Sequence, residues 1–173
     1  MSPRRSPRHT RLHGFTLVEA MISAVIVATM LVAAINTVGA SARTQSATAT
    51  SLRAQHMAAL LMTEIESLAY KDPDLASLLL GLDAGERPQD RSTFDDIDDY
   101  KDYTQAPPTV RDGTLLSTDP SWAISVDVEW VNPADPGAAA GLLVETNLKR
   151  IEVIVTFRGK PVANVVSLKA NVN

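Results

Sequence analysis

The sequence contains no cysteine, only three histidines, and few aromatic residues, which make up 5% of its 173 positions. The absence of cysteine excludes disulfides, thiolate metal sites and thiol nucleophiles, so an exported domain would be stabilised by packing alone. The sequence also has no Walker loop, no paired-glycine nucleotide motif and no histidine spacing for zinc. Because no catalytic cluster can be built from it, we expect neither an enzyme nor an organic cofactor.

Acidic residues are absent from the amino terminus, where basic residues concentrate. Residues 1–14 contain Arg4, Arg5, Arg8 and Arg11. The whole chain has 16 basic and 20 acidic residues, so the remainder has 12 basic against 20 acidic residues, about −8 in formal charge. An acidic body lacks the attraction to phosphates that supplies most nucleic-acid affinity, and we therefore expect no nucleic-acid partner.

A long apolar run follows the arginines. Phe15 to Ile35 reads FTLVEAMISAVIVATMLVAAI, with a single charge at Glu19. A helix of ~20 apolar residues can span a bilayer. The positive-inside rule then places residues 1–14 in the cytoplasm and the chain beyond about residue 40 outside. The sequence thus predicts a single membrane span.

A cleaved secretory signal peptide, a plain signal anchor and a buried core helix are three other interpretations of this run. A signal peptide has a shorter apolar region, although Gly39 to Ala42 offers small residues for cleavage. A plain anchor gives no reason for a carboxylate in the apolar stretch, because an acid costs ~2.5 to 3.5 kcal/mol at a helix centre. Glu19 therefore predicts a functional role with a charged partner.

The residues Gly14-Phe15-Thr16-Leu17-Val18-Glu19, between basic residues and an apolar stretch, resemble the prepilin signature of type IV pilins and type II secretion pseudopilins. The resemblance covers about 25 residues. It implies that a prepilin peptidase and methyltransferase cleaves after Gly14 and N-methylates Phe15, the new amino terminus. It also implies that Glu19 pairs with the terminal amine of a neighbouring subunit, which neutralises two charges when the subunits come into register.

The resemblance implies a location and further partners. Before assembly the subunit would lie in the lipid of the bacterial inner membrane, with a cytoplasmic amino terminus and a periplasmic carboxy-terminal domain. An inner-membrane assembly platform and other pilin or pseudopilin subunits would then carry it into a pilus or pseudopilus. The expected function is that of a structural subunit of a type IV pilus. A type II secretion pseudopilin and a membrane-tethered binding module without a filament are the alternatives.

Proline is absent between Phe15 and Pro73. Major pilins often have a helix-bending proline in the apolar half, so its absence favours a minor pilin or a pseudopilin. The sequence predicts an α+β, pilin-like fold, in which a long helix packs on a small carboxy-terminal antiparallel sheet. The predicted divisions are the leader 1–14, the membrane or filament-core helix 15–38, the outer half of the helix 39–72 and the head 73–173.

Hydrophobic periodicity predicts the elements of the head and its contact with the helix. A helical stripe should pack on the sheet; its members are Met57, Leu60, Leu61, Glu64, Ile65 and Leu68. Asp72-Pro73 should end the long helix. A short second helix at 74–82, a long acidic surface loop at 83–121 and a flexible connection at 132–142 are also expected. Period-two alternation predicts strands at about 122–131, 147–157 and 161–172, the last two joined at Arg158-Gly159-Lys160.

Five aspartates lie close together in the predicted loop: Asp95, Asp96, Asp98, Asp99 and Asp102. Calcium prefers six to eight oxygen ligands, and several pseudopilins and minor pilins bind it in loops of this region. The spacing is not that of an EF-hand, because no glycine occupies the turn position and no glutamate closes the site. The cluster predicts either a calcium site or a solvated acidic loop with Phe94, Ile97 and Tyr100 packed inward.

Overall fold

The computed structural model describes residues 14, 16–71, 80–83, 85–88, 90–141 and 144–172. The chain divides into two compact units, one ending at Ser46 and the other beginning at Ala47. The predicted second helix at 74–82 lies mostly outside the described residues, and residues 80–82 are not helical. The predicted α+β class, with a long amino-terminal helix before an antiparallel sheet, is confirmed.

Helix α1 runs from Leu17 to Glu66 and is the one α-helix among the described residues. It ends a few residues before the predicted end near Asp72. Beyond Glu66, hydrogen bonds to distant parts of the chain replace the backbone hydrogen bonds that would continue the helix. The Ile97 N–H donates to the Ala69 carbonyl at 3.1 Å, and Ala69 forms a parallel bridge with Asp96. The chain after α1 is therefore held by the acidic loop.

The sheet has five antiparallel strands: β1 Thr104–Gln105, β2 Trp122–Asn132, β3 Asp135–Ala139, β4 Leu148–Phe157 and β5 Lys160–Ala170. The strand order is β1-β2-β4-β5, and β3 also pairs with β2. The three predicted strands correspond to β2, β4 and β5. Arg158 and Gly159 connect the last two with positive φ values of 53° and 72°, which is the backbone of a two-residue hairpin turn.

Two segments that were predicted to be irregular contain regular structure. Strand β3 lies within the predicted connection 132–142, and the Arg150 guanidinium donates to the Gly137 carbonyl at 3.2 Å. The predicted loop 83–121 contains β1 and two short 3-10 helices, at Arg91–Thr93 and Asp98–Tyr100. Proline, glycine and aspartate predict irregular backbone locally, whereas the pairing with β2 depends on residues distant in the sequence.

In the second unit, one face of the sheet packs on the outer part of α1. The buried helical residues are Ala54, Met57, Ala58, Leu61, Met62 and Ile65. Leu60, predicted to belong to this face, is exposed, while Ala54, Ala58 and Met62 were not predicted to belong to it. The opposing buried residues are Ile124, Val126, Val128, Ile151, Val153 and Val155. Trp122 and Trp130 are also buried, so both tryptophans belong to the interior.

Candidate functional site

The start of α1 is capped by a side chain. Thr16 Oγ1 accepts a hydrogen bond from the Glu19 N–H at 3.2 Å, and the Thr16 carbonyl accepts from the Ala20 N–H at 3.1 Å. Such a cap satisfies one of the amide groups that a helix start leaves free. Glu19 lies in the first turn and is exposed, where its carboxylate complements the helix dipole. Glu19 is therefore available to a partner.

The first part of α1 exposes its apolar side chains on all sides. The exposed large residues are Leu17, Val18, Met21, Ile22, Val25, Ile26, Val27, Met30, Leu31, Val32, Ile35 and Val38. Within the described residues, α1 is the one helix that is long and apolar enough to cross a membrane. Soluble monomers rarely expose apolar surface on this scale. This stretch therefore requires lipid or other apolar helices around it.

The amino-terminal segment matches a known family model. A family model described as the prokaryotic N-terminal methylation motif matches residues 10–35. The segment is that of a type IV pilin-like prepilin. Gly14, Phe15 and Glu19 all lie within the matched residues. Gly14 is exposed, and Phe15 lies outside the described residues. No curated protein and no solved structure matches the chain.

The acidic loop of the chain is largely buried, and in this respect the prediction of a solvated loop is wrong. Asp96, Asp98 and Asp99 expose only 1%, 6% and 2% of their surface. Asp96 Oδ1 accepts from the N–H groups of Asp98 and Asp99 at 2.5 and 3.3 Å. Asp99 Oδ2 accepts from the N–H groups of Asp95 and Asp96 at 2.9 and 3.1 Å. These carboxylates hold the turn of the loop.

The three apolar side chains that were predicted to pack inward do so. Phe94, Ile97 and Tyr100 are buried. The Phe94 and Tyr100 rings meet edge to face with centroids 5.0 Å apart, a geometry that aromatic pairs favour. Because these side chains enter the core, Asp96, Asp98 and Asp99 are carried into the interior with them, where an unpaired charge would be costly.

Burial changes the protonation of the carboxylates. Burial, followed by the negative charges of Asp98 and Asp99, raises the pKa of Asp96 to about 7. Burial, followed by a hydrogen bond with Glu86, raises the pKa of Asp99 to about 7. Burial also raises the pKa of Asp98, while the Lys149 ammonium opposes that change. Near neutral pH the cluster is therefore partly protonated.

The five aspartates predicted as calcium ligands do not converge on one point. Asp95 and Asp99 come together with Glu86, which the sequence did not indicate, and one oxygen of each lies within 4.8 Å of the others. Asp98 pairs with Lys149. Asp102 is exposed, and its Oδ1 lies 3.4 Å from Lys101 Nζ. Three carboxylates are fewer than the ligands that calcium requires, so water or backbone oxygens would have to complete a site.

Calcium binding stays a prediction, and a melting measurement tests it. If Glu86, Asp95 and Asp99 hold calcium with a Kd of about 1 mM, a tenfold excess stabilises the folded chain by about 1.4 kcal/mol. The full chain in detergent should then melt at a higher temperature with calcium. Asp95→Asn should remove that increase, because it deletes an exposed ligand. Asp112→Asn is the matched control, and an unchanged wild-type melting temperature contradicts the calcium prediction.

A second buried network joins the loop to the helix. Glu64 Oε2 lies 3.1 Å from Arg91 Nη1, and Glu64 Oε1 accepts from the Tyr100 hydroxyl at 2.7 Å. The Arg91 guanidinium also donates to the Thr109 carbonyl and lies over the Tyr103 ring. The sequence placed Glu64 in the helical stripe but gave no sign of its partner. This network fixes the loop on α1 through residues far apart in the chain.

Proposed function

We propose that this prepilin is a structural subunit, and specifically a minor pilin, of a type IV pilus. A prepilin peptidase and methyltransferase would cleave it after Gly14 and methylate Phe15. The observation that carries the proposal is an apolar helix start, exposed on all sides, with an exposed acid in its first turn and within the matched motif. Such a helix is suited first to lipid and then to a bundle of similar helices.

Glu19 supplies the specificity of this assembly. A carboxylate in an apolar environment is costly unless a positive charge compensates it. Cleavage after Gly14 creates an ammonium at Phe15, and in a bundle of parallel subunits this group on one chain can reach Glu19 of another. Pairing occurs only when the two helices have the correct axial offset. The motif and the exposure of Glu19 support this arrangement.

The continuity of α1 favours a minor subunit. The helix runs from Leu17 to Glu66 without an interruption, in agreement with the absence of proline between Phe15 and Pro73. A pseudopilin of a type II secretion system would use the same amino-terminal segment. Deletion of the gene that encodes this chain distinguishes the two functions. Loss of surface filaments supports a pilus subunit, and loss of exported protein supports a secretion pseudopilin.

Processing is tested by intact mass and amino-terminal sequencing of the chain recovered from its native membrane and from filaments. We expect it to begin at methylated Phe15. Gly14→Val should retain the leader, because a branched side chain hinders entry of the backbone into the peptidase. Gly39→Val is the matched control, since an added Cβ meets nothing within 4 Å at either glycine. A chain beginning beyond Gly39 would indicate a secretory signal peptide instead.

A further inference from the structure

Lys149 on β4 is a buried lysine in direct contact with a carboxylate. Lys149 exposes 1% of its surface, and its Nζ lies 2.5 Å from Asp98 Oδ1. The same Nζ donates to the Tyr70 carbonyl and lies 4.0 Å from the centroid of the Tyr70 ring. The ring, the carbonyl and the carboxylate leave little space for water around the amine.

The chain contains a second lysine–aspartate pair that serves as a comparison. Lys101 Nζ contacts Asp127 Oδ1, but their side chains expose 18% and 47% of their surface, against 1% and 9% for Lys149 and Asp98. Ionised groups are strongly stabilised by water, and this stabilisation is lost on burial. The Lys101–Asp127 pair therefore remains in contact with solvent, whereas the Lys149–Asp98 pair is shielded from it.

We propose that Lys149 and Asp98 condense to an intramolecular amide that covalently joins the acidic loop to β4. A proton moves from the ammonium to the carboxylate, which gives a neutral amine and a carboxylic acid. The Nζ lone pair then attacks Asp98 Cγ, and the new C–N bond replaces the C–OH bond. The hydroxyl leaves with a proton from Nζ as one water molecule. No oxidant, reductant or cofactor takes part.

Neighbouring groups favour this reaction. Asp96 Oδ1 holds the Asp98 N–H at 2.5 Å and so fixes the backbone that carries the reacting carboxyl group. Fixed proximity of the two reactants removes the entropic cost of bringing them together. Exclusion of water opposes the reverse hydrolysis.

The amide would close a long loop between the sheet and the segment that follows α1. A cross-link stabilises a fold mainly by restricting its unfolded chain, and this effect grows with loop length. The sequence has no cysteine to provide a disulfide. The amide lies within the head and does not depend on whether the chain forms a pilus or a pseudopilus.

Mass spectrometry of the full chain, purified and denatured, tests the proposal. We expect a mass lower by one water molecule than that of the processed sequence. Trypsin should fail to cleave after Lys149 and should release a branched peptide that joins 92–101 to 112–150. A chain without the mass deficit, or one cleaved normally after Lys149, overturns the proposal and leaves a buried ion pair.

Variants locate the bond. Lys149→Arg should restore the full sequence mass, whereas Lys101→Arg, at the exposed pair, should keep the deficit. Asp98→Asn should lose ammonia instead of water, because the leaving group is then the amide nitrogen. A deficit that persists in Lys149→Arg contradicts the assignment. If Lys149→Arg does not fold, the branched peptide from the wild-type chain still decides the question.

Discussion

Glu19→Val will leave the prepilin inserted in the membrane and cleaved after Gly14, but will lower its incorporation into filaments by about 100-fold. Valine suits the apolar environment and keeps the helix, so insertion and processing should continue. In the proposed filament, the ammonium of the neighbouring subunit would then have no compensating charge. Loss of one member of a buried ion pair costs about 3–5 kcal/mol, which corresponds to a factor of roughly 100 or more.

The measurement is the ratio of the chain in purified filaments to the chain in the membrane, by quantitative immunoblot. Asp112→Asn is a matched control, because it removes one exposed negative charge from the head without touching α1. Glu19→Asp should give an intermediate ratio, since its shorter side chain keeps the charge. Wild-type incorporation of Glu19→Val would refute the pairing of Glu19 with the terminal amine.

Raising the pH from about 5 to about 8 will destabilise the head, and Asp96→Asn will weaken this dependence. The folded-state pKa of Asp96 is about 7, above its ordinary value of 3.8. Its contribution to stability is therefore complete below the ordinary value and is lost as the pH rises through about 7. One such proton changes the free energy of unfolding by about 1.4 kcal/mol per pH unit within that window.

The asparagine variant keeps the Oδ1 acceptor that binds the backbone N–H groups of the loop. It removes the charge that burial disfavours, so its advantage over the wild-type chain should grow with pH. The groups that act on Asp96 and its neighbours are Glu86, Asp98, Asp99, Glu145 and Lys149. Because Asp99 has a similarly raised pKa, some pH dependence should remain in the variant.

Urea denaturation of the full chain in detergent, followed at several pH values, provides the comparison. Asp112→Asn is again the control, because hydrogen bonds to Thr114 lower the pKa of Asp112. Asp112 is therefore ionised throughout the range from about pH 5 to about pH 8. The change in the free energy of unfolding caused by Asp112→Asn should be the same at every pH in that range. A difference between Asp96→Asn and the wild-type chain that does not change with pH would contradict the raised pKa.

Local sequence patterns accounted for the elements whose residues interact with near neighbours. Strands β2, β4 and β5 follow from alternating apolar residues, and the turn between the last two follows from Arg158-Gly159. The inward packing of Phe94, Ile97 and Tyr100 was also predictable, because large apolar residues in a polar segment need a core. Their positions did not reveal how deeply the adjacent aspartates would be buried.

Contacts between distant residues decided the rest. Strand β3 depends on pairing with β2, and the end of α1 depends on the bond between Ala69 and Ile97. The pairing of Glu64 with Arg91 joins residues 27 positions apart, and that of Asp98 with Lys149 joins residues on different elements. No local pattern predicts such pairs, because a charged residue has the same appearance in the sequence whether it is solvated or paired.

The sequence by itself determined the apolar segment with Glu19, the order of α1 and strands β2, β4 and β5, and the resemblance to prepilins. These depend on composition and on short-range periodicity, which are visible along the chain. Only the tertiary structure decided the environment of the acidic loop, in which Asp96, Asp98 and Asp99 are buried and Lys149 lies against one of them. The physical reason is that solvation, charge pairing and pKa depend on surroundings that the folded chain brings together from distant positions.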